Sequence, residues 1–309
     1  MNRLSPAVSV TRTCLCAATI LFAISLSAYA QAPLSQHVIL VIEENHSFTD
    51  VFTNNGMPWL VGKGNQYAYS SNYFSDAGGS LLDYLWLASG GAEAAFHCTG
   101  NDCYNPGTTT KDPITDSNIF QLMDSHPVTW RVYAQSYMNA GGNVNAVDAG
   151  RGTHYYARHS AAVWYAEILN NVLGAQGNVV DMEQFVIDAA NGTLPRYSII
   201  VPDGSYDAHD GTLSAADQFL QNNLTTLLGT ADFQTLGSGL LIVTFDECGG
   251  GTNSCPGPDG QVYTAMIGPN VKRGYVSNVH YMHENTLRTM LDSLNIHSYR
   301  TFSRRRRAE

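Results

Sequence analysis

Three short stretches of this chain set metal-type side chains close together: Glu44-Asn45, Asp207-Ala208-His209 and Asp246-Glu247. A fourth candidate, His283, opens a stretch with helical spacing. Carboxylate and amide oxygens with imidazole nitrogens form the donor set of hard and borderline divalent cations. Each group is weak evidence alone. A lone histidine such as His283 is more often a capping or core residue than a ligand, and Asp210-Gly211 is a turn signal in its own right. Asp246-Glu247 is harder to dismiss, because two adjacent carboxylates leaving an apolar run repel each other and need a cation or hydrogen-bond donors.

The segments before these groups explain how they would be positioned. Residues 38–42, Tyr197–Val201 and Gly239–Phe245 are nearly unbroken aliphatic and β-branched runs. That is the pattern of strands covered on both faces of a parallel sheet, whose carboxyl ends bind ligands in open α/β folds. Residues 262–267 read as a fourth strand. Residues 83–89, introduced by Gly78-Gly79-Ser80, predict a short helix, and 118–125 and 161–173 carry helical spacing. Ser214 reads as an N-cap, with Asp217 three residues on, for a helix running to Gly229. The last helix covers 283–294, with Leu287, Met290, Leu291 and Leu294 on one face. Residues 54–79 and 97–116 read as loops. Strands alternating with helices predict an α/β fold with a largely parallel sheet.

Residues 1–30 carry the marks of a secretory signal. Arg3 and Arg12 precede a short apolar run, and Ala28-Tyr29-Ala30 is an A-x-A cleavage site. The run is shorter than the roughly 20 apolar residues of a membrane span. The expectation is export to the periplasm or beyond, with residues 31–299 as one domain and 300–309 as a basic tail. Removing residues 1–30 takes away two Arg and no acid, which moves the formal charge from −10 to −12. Residues 31–299 then hold nine Lys/Arg against 25 Asp/Glu. Such a body argues against nucleic acid or an anionic membrane as the main partner, and no second candidate span predicts stable insertion. Arg304-Arg305-Arg306-Arg307 reads as a solvated tail. Four cysteines remain after export. Three pairings are open; short spacing favours Cys98–Cys103 and Cys248–Cys255, with a four-cysteine zinc site as the competing reading.

A resemblance sharpens these readings. The motifs, in order, are Glu44-Asn-His-Ser-Phe48, Ser80-Leu-Leu-Asp-Tyr84 with Ser89-Gly90, Thr129-Trp-Arg-Val-Tyr133 and Arg158-His159. They continue with Val201-Pro202, Asp207-Ala-His-Asp210, Thr244-Phe-Asp-Glu247, Gly268-Pro269 and 283–289. Together they resemble the secreted phosphoesterase family of bacterial acid phosphatases and phosphatidylcholine-type phospholipases C, within the alkaline-phosphatase-like superfamily. The resemblance implies an α/β three-layer sandwich, its largely parallel central sheet flanked by helices. It further implies a divalent metal held by Glu44, Asn45, Asp246 and Glu247, with Ser80 as a nucleophile whose oxygen also meets the metal. Asp207, His209 and His283 would hold a second ion or contact the phosphoryl group, and Arg158 or His159 would add a contact. The family usually reads Ser-x-Pro-Asn-Tyr around the nucleophile, whereas this chain has Asp83 in place of the Asn, an anion where an amide donor would stand beside the phosphate.

The chemistry of Ser80 is consistent with that role, since a serine hydroxyl needs a base or metal to become a nucleophile and a helix N-terminus favours anions. Alternatively, Ser80 is simply an N-cap. With so few cations in the body, a divalent ion is the plausible source of positive charge for a phosphate ester. The leading expectation is an exported, metal-dependent phosphomonoesterase acting on small phosphate esters through a phosphoserine. The alternatives are a phospholipase C-type phosphodiesterase and a secreted binding protein on a degenerate phosphatase fold. Two features favour the monoesterase: the mature length leaves no room for an extra C-terminal domain, and the first motif reads Asn45-His46-Ser47 rather than Asn-Arg-Ser. The sequence leaves the oligomeric state open.

Overall fold

β1 (His37–Glu43) is the axis of the protein, paired in parallel with β6 (Tyr197–Val201) on one side and β7 (Gly239–Phe245) on the other. The computed structural model describes residues 32–90, 113–146, 152–234, 236–249, 255 and 260–297. Around these three strands an eight-stranded sheet runs in the order β5-β4-β6-β1-β7-β8-β2-β9. Its outer members are β2 (Ala68–Ser70), β4 (Trp130–Ala134), β5 (Val179–Asp181), β8 (Thr264–Ile267) and β9 (Tyr275–Ser277). Only β8 runs against the rest. A second, two-stranded sheet pairs β3 (Tyr73–Phe74) with β10 (Tyr281–Met282).

Side chains alternate across β1, so one strand supplies two cores. Val38, Leu40 and Ile42 pack on the face covered by α2 (Ser80–Ser89), α3 (Ile119–Ser125) and α7 (His283–Ser293). Ile39 and Val41 pack on the other, under α1 (Pro58–Gln66), α5 (Met182–Asn191) and α6 (Leu213–Gly229). The result is the expected helix–sheet–helix sandwich. Continuing the alternation past the strand aims Glu44 at the α2 face and Glu43 at the opposite one.

The structure corrects several element readings. Residues 54–79 are not all loop, for they contain α1, β2 and β3. Two glycines inside α1, Gly62 and Gly64, dilute its helical signal, and Pro58 occupies its first turn, where a missing N–H costs nothing. The capping of this helix comes from elsewhere in the chain. Asp217 on α6 accepts the amides of Trp59 and Leu60 at 2.8 and 2.9 Å. Asp217 therefore does not serve a Ser214 cap. Thr212 caps α6 instead, accepting the Ala215 amide at 3.1 Å.

The helix expected over 161–173 is broken as well. A 3-10 turn (Ala161–Trp164) and the short α4 (Ala166–Leu169) flank an extended Tyr165. Ile114 bonds both sides of the break, donating to the Trp164 carbonyl at 2.9 Å and accepting the Ala166 amide at 2.8 Å. The strand read at 262–267 begins at Thr264. β4, β5, α5, β9 and β10 were not expected from the pattern.

Cys248 and Cys255 form the expected disulfide, with Cα atoms 5.5 Å apart, which removes two thiolates from any four-cysteine zinc site. The expected Cys98–Cys103 pairing, the leader read at 1–30, most of the loop read at 97–116, Arg151 and the tail read at Arg304–Arg307 lie outside the described residues. No helix among the described residues is long and apolar enough to cross a membrane.

Candidate active site

The carboxyl ends of the three central strands meet through their backbones. The Glu44 amide donates to the Asp207 carbonyl at 2.7 Å, and the Asp246 amide to the Glu43 carbonyl at 2.9 Å. Asn45 turns the chain away in a left-handed conformation (φ 40°), which asparagine tolerates better than most residues. Its amide and side chain then tie the first strand tip to the third. The Asn45 N–H donates to Asp246 Oδ1 at 2.9 Å and Asn45 Nδ2 to Glu247 Oε1 at 3.0 Å.

Ser80 reaches this cluster from above. Gly79, at φ 103°, makes a turn that an L side chain would resist, and α2 starts at the next residue. The Gly79 amide donates to Glu247 Oε2 at 3.0 Å. Gly79, not Ser80, is the N-cap, so the serine hydroxyl is not spent on the helix. It donates instead to Glu44 Oε2 at 2.9 Å. Tyr84, one turn further on, donates to Glu44 Oε1 at 2.6 Å.

On the other side of Glu44 stand the imidazoles. His159 lies on a 3-10 turn (Ala157–His159), with Nδ1 2.9 Å from Asp207 Oδ2 and Nε2 3.5 Å from Glu44 Oε1. His209 packs beside it with ring centroids 5.4 Å apart, and its Nδ1 is 3.1 Å from Asp210 Oδ1. Tyr156 walls this side, tilted against both histidines and bonded through its hydroxyl to Asp210. Glu44, His159 and His209 each place one ligand atom within 4.8 Å of the others.

The electrostatics favour a bound cation or protons on the buried acids. Burial, then the charges of Asp246 and Asp207, pushes the Glu44 carboxyl well above the ordinary carboxylate range. Burial likewise raises Asp246 to about 6 and Asp207 to about 7. Asp246 Oδ2 and the Asn45 side-chain oxygen are buried and receive no hydrogen bond from the described residues. Acceptor oxygens left so in a dry site cost on the order of 1–3 kcal/mol each. Oxygen donors around imidazoles, with two acceptors still open, fit a divalent ion.

Two expected members stand differently from the sequence reading. His283 is not in the cluster. Its Nε2 lies 2.6 Å from the Asp246 carbonyl and its Nδ1 3.0 Å from the Tyr73 hydroxyl. A carbonyl only accepts, so Nε2 carries the proton and Nδ1 accepts from Tyr73. Burial pushes this imidazole down to about 4, so it is neutral at ordinary pH. His283 braces the backbone of Asp246 from behind, with both nitrogens occupied. Asp83 is also not the expected anion. Its Oδ1 accepts the Asp76 and Ala77 amides at 3.0 Å each. Burial and, next, the charge of Asp246 raise it to about 10, which makes it a neutral acid at pH 7.

The remaining sequence candidates, Glu44, Asn45, Ser80, His159, Asp207, His209, Asp246 and Glu247, are brought together. Tyr84 and Tyr156 were missed. The signal for Tyr84 was available, since four residues after Ser80 on a helix is the same face. Nothing local marks Tyr156, which reaches the site only because Gly204 leaves room for its ring.

Known proteins point in the same direction. The family model described as "Phosphoesterase family" matches residues 49–297. A probable acid phosphatase of Kluyveromyces lactis is 24% identical over 253 residues, 80% of this chain and 55% of the relative. The chain thus spans about half the length of that relative. A phosphatidylinositol-3-phosphatase of Mycobacterium tuberculosis is 25% identical over 263 residues, covering 85% of this chain and 78% of the relative. Among solved structures, an alkaline phosphatase superfamily protein from Vibrio parahaemolyticus superposes with a TM-score of 0.57 at 9% identity. That match covers 86% of this chain and 69% of the other, and establishes the shared fold.

Proposed function

Because the chain belongs to the phosphoesterase family, we propose that it is an exported, metal-dependent phosphomonoesterase of acid-phosphatase type acting on small phosphate esters. The observation that carries this reading is the meeting of Ser80 with Glu44 at 2.9 Å, among buried oxygens that lack donors. The names of both relatives, each a phosphatase, favour a monoester over a phosphodiester. The leader-like residues 1–30 support export.

Glu44, Asn45, Asp246 and Glu247 would hold the ion, with His159 as a further donor toward the Glu44 side. When bound, a divalent ion would offset the phosphoryl charge and lower the pKa of a hydroxyl beside it. The chain's own residues do the rest. Ser80 Oγ, fixed at the start of α2, attacks phosphorus in line with the ester oxygen, forming the Ser80 O–P bond as the ester P–O bond breaks. Its proton is already directed at Glu44 Oε2. Asp207 holds His159 through Nδ1, so that Nε2 faces Glu44. Asp210 holds His209 through Nδ1, which leaves Nε2 to give a proton to the departing alkoxide and later to take one from water. Water then cleaves the phosphoserine, releasing phosphate and restoring Ser80.

The test is kinetics on an aryl phosphate and on phosphatidylcholine vesicles, with and without exhaustive chelation. The expected result is turnover of the aryl phosphate, greatest on the acid side of neutrality, lost on chelation and restored by a divalent ion. A higher kcat/KM on the lipid, or full activity in metal-free protein, would overturn it.

A further inference from the structure

We propose that Tyr84 is a positioning residue of this centre, locking Glu44 and His159 into a fixed mutual orientation; the inference rests on the metal-dependent reading of the site. Ser80 and Tyr84 lie one turn apart on α2 and take different oxygens of the same carboxylate. Ser80 Oγ donates to Oε2 at 2.9 Å and the Tyr84 hydroxyl to Oε1 at 2.6 Å. With one donor on each oxygen, the carboxylate cannot rotate about its terminal bond without breaking both contacts. The lone pairs that remain for a cation are thereby fixed in direction.

The ring of Tyr84 serves the second group. It lies parallel to the His159 imidazole, with centroids 5.9 Å apart and an interplanar angle of 9°. His159 is held at its edge by Asp207, 2.9 Å from Nδ1, and on its face by this ring, while Nε2 stands 3.5 Å from the oxygen that Tyr84 itself binds. One buried side chain therefore touches two candidate ligands and presents no surface to substrate; Tyr84 is 2% exposed. A phenylalanine would fill the same space in the buried cluster that holds Leu40 and Ile42. The hydroxyl is what distinguishes a positioning role from packing. Partners that orient ligands in this way are typically worth about 10–100-fold in metal affinity or activity.

Two variants of the mature chain separate the roles: Tyr84→Phe keeps the ring and removes the donor, and Tyr84→Leu removes both. The readouts are calorimetric affinity of the chelator-stripped protein for Mg²⁺, Ca²⁺, Mn²⁺ and Zn²⁺, kcat and KM on an aryl phosphate, and Tm. For Tyr84→Phe the expected result is about tenfold weaker binding of the ion that binds wild type best. Its kcat should fall at saturating metal while KM and Tm stay close to wild type. Tyr84→Leu should lose more of both, and if it does not fold, Tyr84→Phe decides alone. Wild-type affinity and kcat in Tyr84→Phe would overturn the proposal and leave the functional reading standing. A wild-type protein that binds none of the four ions would overturn both.

Discussion

The hydroxyl of Ser80 donates to Glu44 Oε2 across 2.9 Å, although 36 positions separate the two residues in sequence. Ser80 stands at the first position of α2 and Glu44 just beyond the end of β1, so the contact joins a helix N-terminus to a strand C-terminus. The helix N-terminus favours an anion, and the carboxyl edge of a parallel sheet is where ligands bind in open α/β folds. If this contact is the reacting centre, Ser80→Ala should lower kcat by orders of magnitude with little change in Tm, because a nucleophile acts in the transition state rather than in the core. Glu44→Gln should lower metal affinity as well as kcat. Circular dichroism with kinetics checks the first and calorimetry the second; a Ser80→Ala enzyme within about threefold of wild-type kcat contradicts the assignment.

Stability should depend on pH in a direction set by the buried acids. Asp246 moves from 3.8 to about 6 on folding and Asp207 from 3.8 to about 7. A folded-state pKa above the unfolded one means that the native state binds the proton more tightly. The stability from these groups is therefore complete below about pH 3.8 and is lost as pH rises through 6 to 7. Glu44 and Asp83 act in the same sense. His283, lowered from 6.5 to about 4, and His46, also lowered by burial, oppose them, but the raised acids, which include Glu43 and Asp217, are more numerous. Metal-free protein should lose Tm between pH 4 and 7, and a saturating divalent ion should reverse the slope, since binding needs ionised carboxyls. Thermal scans with and without chelator check this. A metal-free Tm that climbs across the same window would contradict the buried-acid account.

Asp83 gives a sharper test of burial. Its Oδ1 serves two backbone amides, and its second oxygen is buried. Asp83→Asn keeps that acceptor and replaces an acid proton with an amide donor, so folding and turnover should survive. The pH dependence contributed between about 3.8 and about 10 should disappear. Asp83→Ala should cost about 1–3 kcal/mol, because the Asp76 and Ala77 amides lose their partner. Denaturant titrations of both variants at pH 6 and 9 measure this. Equal losses in the two variants would mean that the amide contacts are not what Asp83 contributes.

Much of the site was legible because its strands are. Residues 38–42 and Gly239–Phe245 are apolar until they stop, and the polar pairs just beyond them, Glu44-Asn45 and Asp246-Glu247, land at the sheet's carboxyl edge. Residues placed by long-range partners were not legible. His283 looks like a ligand in sequence, and only the Tyr73 hydroxyl, 210 positions away, shows that both its nitrogens are occupied. Asp217 looks like a cap for its own helix and instead caps α1, 158 positions earlier. Tyr165 breaks a good helical pattern because the backbone of Ile114 takes the bonds on both sides of it. Propensity is local, and each of these outcomes was decided by a distant segment.

The most direct test of the central claim is to quench the enzyme in acid during turnover of a phosphorus-labelled aryl phosphate and to map the label by peptide mass spectrometry. The account predicts an acid-stable phosphoserine on the peptide carrying Ser80, absent in Ser80→Ala and absent when the metal is removed first. Label on another residue, or steady turnover by Ser80→Ala at the wild-type rate, would contradict it.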